Sequence, residues 1–147
     1  MLTKYYDEFT VGEAGQTHGR TITESDLVMF AALSGDWHLL HTNTEYAEAS
    51  RFGQRIAHGM LVLSVMTGLV QLQAPYAVAF YGMDDLRLLA PTFIGDTLSA
   101  SWRVADMKDR GGANGLIGYE IIVRKSDGTE CARCVMRMLV ARQVAAA

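Results

Sequence analysis

The 147 residues carry 13 Lys and Arg against 16 Asp and Glu, a formal net charge of −3. That balance argues against nucleic-acid partners, which need a broad basic surface. Half of the residues are hydrophobic and a fifth are charged, as expected of a single globular domain over 1–147 with a sizeable core.

The opening "MLTKYYDEFTVGEAG" has no continuous apolar stretch, so no signal peptide is expected. A short strand or turn is expected near Tyr6 to Val11, and the alternation of "THGRTIT" predicts a strand. "TESDLVMFAALSG" reads as a helix. Thr23 is its N-cap, acids fill the first turn, Gly35 ends it, and Leu27, Phe30 and Ala31 share the inward face. "NTEYAEASR" predicts a second, shorter helix, with a loop from Asp36 to His41 before it.

A third helix is predicted over Met60 to Gln73. Its apolar residues point in nearly every direction, which predicts a wholly buried helix. The apolar run is too short for a membrane span and is interrupted by Ser64, Thr67 and Gly68, so a cytoplasmic protein is expected.

Four long strands follow: "AVAFYGMDDLRLLAP", "DTLSASWRVADMK", "GLIGYEIIVRKS" and "TECARCVMRMLVARQ". Turn signals separate them at Pro91 to Asp96, "DRGGANG" and "SDG". Sequential strands with hairpin-length turns predict an antiparallel sheet, and a buried helix needs a sheet to wrap it. The expected class is α+β. The only two cysteines, Cys131 and Cys134, fall in the last strand. Their spacing predicts opposite faces, and they read as structural thiols in a reducing compartment.

Two stretches carry chemistry-bearing residues. In "SGDWHLLH", Asp36 and His41 can turn toward one point, and a carboxylate beside an imidazole suits acid–base chemistry near neutral pH. The same residues can instead be a turn cap and an ordinary loop histidine. In "IAHGMLVLS", His58-Gly59 opens the third helix. Free N–H groups there, with a glycine that lets a ligand approach, form an oxyanion site. Alternatively, His58 caps the helix and Gly59 relieves crowding. Ser64 can bond a ligand or Asp36, or a carbonyl of the preceding turn. Asp36, His38, His41 and His58 lack a metal-site signature, and no nucleotide-binding glycine pattern occurs.

Together these stretches resemble the MaoC-like dehydratases of the (R)-specific enoyl-CoA hydratase type. That signature reads Ser-x-Asp-x-Asn-Pro-x-His, a short acidic helix, then Ala/Val-His-Gly-Met. Here "FAALSGDWHLLH", "NTEYAEASRFG" and "IAHGM" stand in those places, and "LLAPTFIGDTL" is similar to a later strand–turn segment. The resemblance implies a hot-dog fold, an antiparallel sheet wrapped around a long central helix. It implies water addition to a trans-2-enoyl-CoA with Asp36 and His41 as catalytic dyad and Ser64 supporting it. Gly59 would face the thioester carbonyl, with His58 beside it in the substrate site.

The resemblance further implies no cofactor, no metal, an acyl-CoA partner, and a homodimer or dimer of dimers. One departure stands out: His38-Leu39 replaces the usual Asn-Pro, which makes His38 a candidate for selecting a polar acyl group. Two other readings are a hot-dog thioesterase and a non-catalytic acyl-CoA-binding subunit. The first is weakened because no Asp or Glu lies between Glu48 and Asp84.

Overall fold

A computed structural model describes residues 3–143. A 3-10 turn at Tyr6–Glu8 stands where a strand or turn was expected. Strands β1 (Ala14–Gln16) and β2 (Arg20–Thr21) replace the single strand expected at "THGRTIT". Between them Thr17 stays tied to Ala100 by two bonds, its N–H donating to the carbonyl and its Oγ1 accepting the N–H. Helix α1 (Glu24–Ser34) begins and ends as its caps dictate. Thr23 Oγ1 accepts the Asp26 N–H, the Asp26 carboxylate accepts the Thr23 N–H, and Gly35 turns left-handed at φ 77°.

Two short helices follow, α2 (Leu39–Thr42) and α3 (Thr44–Glu48), then the central helix α4 (Gly59–Leu69). The α4 helix is shorter than predicted, because Val70 caps it and Gln71 takes a positive φ of 51°. Nor is it wholly buried. Leu61, Val62, Val65, Met66 and Leu69 pack inward, whereas Met60, Ser64 and Gly68, four residues apart, form an exposed stripe.

Strands β3 (Ala77–Leu88), β4 (Thr97–Asp109), β5 (Asn114–Lys125) and β6 (Glu130–Ala141) lie in the four stretches expected to be long strands. All pairings are antiparallel, in the order β1-β4-β5-β6-β3, with β2 also on β4. The β4–β5 and β5–β6 connections are hairpins. The Pro91–Asp96 segment is not: it crosses from one side of the sheet to the other, since β3 pairs with β6. The inner face presents Ile117, Tyr119, Ile121 and Val123 from β5 and Met136, Met138 and Val140 from β6 to α4. Each fully buried side chain of this size contributes roughly 1.5–3 kcal/mol.

Cys131 and Cys134 depart from the expected opposite faces. Both are free, buried and part of the same core cluster. Val123 pairs with Ala132 and Arg124 with Glu130, so Cys131 is the extra residue of a bulge. The bulge breaks the two-residue alternation on which the expectation rested.

Candidate active site

Three local structures bring the site together. Gly35 ends α1 and turns the chain, so that Asp36 projects from a tight turn in which Oδ1 accepts the His38 N–H at 3.2 Å. His41 then sits not in a loop but on α2. His38 is the N-cap of that helix, and its Nδ1 accepts the Leu40 N–H at 3.2 Å. This accounts for the departure at His38-Leu39. Asparagine is a preferred N-cap and proline a preferred first helical residue. Here the imidazole supplies the cap, and leucine starts the helix without the preset φ. His38 is therefore occupied with its own helix.

The third piece is the chain entering α4. Ile56 donates its N–H to the Leu40 carbonyl at 3.1 Å, and Ala57 donates to Thr92 at 2.7 Å. Arg55 reaches back to α1 with a two-armed contact to Glu24. The fixed Ile56 carbonyl accepts from His41 Nδ1 at 2.8 Å. A carbonyl only accepts, so Nδ1 carries the hydrogen and Nε2 of the neutral ring keeps a free lone pair. Burial, foremost, holds the His41 pKa below the usual imidazole value, and His58 and His38 act in the same direction. The Ile56 bond and Asp36 pull the other way. The balance favours a neutral ring, able to accept a proton at pH 7.

One ligand atom each of Asp36, His41 and His58 lies within 4.8 Å of the others. The His41 and His58 rings stack, with centroids 3.7 Å apart and planes 27° from parallel. A shared cation would need both imidazoles to aim their in-plane lone pairs at one point, which a near-parallel stack opposes. The cluster is better suited to moving protons than to holding a metal.

Gly59 begins α4. The first bond of that helix runs from the Val62 N–H to the His58 carbonyl, which leaves the N–H groups of Gly59, Met60 and Leu61 outside the helical ladder. A hollow of about 310 Å³ adjoins Gly59, lined also by Phe52, Ile56, Val62, Leu88 and Thr92, among others. A Cβ at Gly59 would run into the Leu88 side chain.

Two expected site residues make other contacts than those expected. Ser64 does not reach Asp36: its hydroxyl donates to the Met60 carbonyl at 2.8 Å, and it faces a separate hollow with His18, Arg20 and Asp26. His58 is 2% exposed, is not among the residues lining the Gly59 hollow and makes no side-chain capping bond. It packs instead against His41 and Phe30, and its Nε2 donates to the Asp36 carbonyl at 3.0 Å. The Ile56 carbonyl and Leu88 had no part in the sequence reading. Nothing in a side-chain pattern marks a backbone acceptor or a residue contributed by a distant strand.

The chain is similar to known proteins in sequence and in fold. The (R)-specific enoyl-CoA hydratase of Rhodospirillum rubrum is 34% identical over 107 residues, 73% of this chain and 74% of that protein. Protein MaoC of Klebsiella aerogenes is 41% identical over 96 residues, 65% of this chain but only 29% of that longer protein. A solved monoamine oxidase regulatory protein from Archaeoglobus superposes with a TM-score of 0.89 at 34% identity, covering 96% of each chain. The curved sheet around α4 is thus the hot-dog fold that the motifs implied. With the MaoC-like domain profile matching residues 8–124, which span α1, the Asp36–His41 turn and the entry to α4, this chain belongs to the MaoC-like domain family.

Proposed function

We propose that this protein reversibly adds water across the double bond of a trans-2-enoyl-CoA, giving a 3-hydroxyacyl-CoA. The carrying observation is the convergence of Asp36 and His41, within 4.8 Å of each other, on His58, the residue directly before the Gly59 N–H that opens α4. His41 Nε2 takes a proton from water as its oxygen attacks the β-carbon. Negative charge moves onto the thioester oxygen, where the N–H of Gly59 and the start of α4 stabilise it. The proton taken by His41 passes to the Asp36 carboxylate, which delivers it to the α-carbon, directly or through bound water, in a syn addition. The two groups exchange protons as a coupled pair and end as they began. The thioester already polarises the double bond, so the step needs no cofactor or metal. The names of the Rhodospirillum rubrum relative and of a 3-hydroxybutyryl-CoA dehydratase from Methylorubrum extorquens support the reading.

A thioesterase of the same fold would need another acid, since α4 carries none. A non-catalytic acyl-CoA-binding subunit would not need the Ile56 carbonyl to leave His41 Nε2 free. Incubation with crotonyl-CoA and butyryl-CoA separates the readings. Loss of enoyl absorbance without thiol release is expected. Thiol release from butyryl-CoA would assign a thioesterase, and saturable binding without turnover would assign a binding subunit.

The reading includes a homodimer or dimer of dimers. Strand β3 pairs on one side only, and Val78, Phe80, Tyr81, Leu88 and Leu89 on and beside it are exposed. A second copy would cover that edge.

A further inference from the structure

Two histidines in this chain immediately precede helices with nearly the same backbone conformation: His38 at φ −55°, ψ 139° and His58 at φ −59°, ψ 138°. His38 uses Nδ1 to cap its helix. His58 does not, although α4 offers the same donors. Its Nδ1 is buried and finds no hydrogen-bond partner among the described residues. Two bonding opportunities therefore lie unused at one point, the Nδ1 acceptor and the opening N–H groups of α4. Buried polar groups are rarely left so, and an exception calls for a reason.

The reason lies in what the turned-away ring does. Its Nε2–H fixes the Asp36 carbonyl, one face covers the His41 ring, and Phe30 packs against it from α1. The Ile56 carbonyl already holds the edge of His41, so the stack fixes the remaining freedom, the ring's plane.

We infer that His58 is a positioning residue: withheld from capping α4, it aligns Asp36 and His41 and keeps the α4 N-terminus open for the thioester oxygen. This rests on the hydratase reading above. It replaces direct substrate contact by His58 with action through its neighbours.

Comparison of His58→Asn with His58→Ala tests it. Asparagine is a good N-cap and alanine is not, so the Asn variant is expected to melt higher. A purely structural role predicts that activity returns with stability. Positioning predicts that it does not. Both variants should lose about a hundredfold in kcat on crotonyl-CoA, the scale of a misplaced catalytic group, with KM roughly unchanged. Recovery of kcat in the Asn variant, or a rise in KM alone, would overturn the inference.

Should either variant fail to fold, nitrogen NMR of the unmodified protein at pH 7.5 decides. His58 is expected as the Nε2–H tautomer, and an Nδ1–H tautomer would overturn the assignment. Unmodified protein that hydrates no enoyl-CoA would refute the hydratase reading instead, and the tautomer remains readable without activity.

Discussion

The imidazoles of His41 and His58 lie face to face, 3.7 Å between centroids, and each donates its N–H to a backbone carbonyl on a different segment. His41 is tied to Ile56, and His58 to Asp36. The pair thus locks the turn after α1 to the chain entering α4. The stack also makes a second positive charge costly at this spot, one cause of the lowered His41 pKa after burial itself.

Asp36→Asn and His41→Gln should each lower kcat for crotonyl-CoA hydration by about a hundredfold to ten-thousandfold, the usual range for acid–base groups. Both side chains are partly exposed, so folding should survive. The check is steady-state kinetics on variants with unchanged circular dichroism. Near-full activity in either would remove that residue from the dyad.

The pH dependence has a definite sign. His41 acts in its neutral form, and its pKa is lowered from the ordinary 6.5. As pH falls, the acid limb of kcat/KM should therefore be centred below pH 6.5. Stability follows the same direction. The unfolded chain gains the His41 proton first, so the His41 contribution is complete above about pH 6.5 and is lost as pH falls toward the folded-state pKa. A rate profile with its acid limb centred above 6.5 would contradict this environment.

Gly59→Ala should slow hydration, with kcat falling more than KM rises: alanine keeps the N–H, but its methyl crowds the thioester oxygen or shifts the donor, so the loss stays below the roughly 3–4 kcal/mol that removing an oxyanion donor costs. The Leu88 side chain occupies the direction a Cβ would take, so crowding is a second route to the same loss. The double variant Gly59→Ala/Leu88→Ala separates the two. A lasting deficit assigns the glycine to the thioester oxygen. Full recovery would mean that Gly59 only makes room for Leu88.

Sedimentation at micromolar concentration should report at least a dimer. Phe80, 52% exposed on the edge strand β3, is a suitable probe. Phe80→Glu would place a charge in the covered edge and shift the mass toward the monomer. An unchanged mass in the variant would move the contact to another surface.

Tyr119 is fully buried between Phe9 and Trp102, and its hydroxyl lacks a partner among the described residues. Burial pushes its pKa upward, keeping it protonated. Removing an unsatisfied hydroxyl relieves a desolvation cost of about 1–3 kcal/mol. Tyr119→Phe should therefore melt at or above the parent temperature, whereas a clear loss in a thermal scan would reveal a partner such as a buried water.

Much of this protein was legible as sequence. Thr23 and Gly35 delimit α1 because capping is a local matter of side chain and φ. The four long strands follow from the turn signals that bound them, and the motif from Ser34 to Gly59 marks both halves of the candidate site. Tertiary structure alone decided the rest. Pairing of β3 with β6 rather than β4 depends on closing the sheet around α4, which no local pattern encodes. The bulge at Cys131 shifts the strand phase by one residue. Ser64 faces outward because inward packing of Leu61, Val62 and Val65 sets the rotation of α4. The proton position on His41 is chosen by a backbone carbonyl, and the orientation of His58 by stacking. Such contacts join segments distant in the chain, and their energy depends on distance and direction, quantities that exist only once the chain has folded.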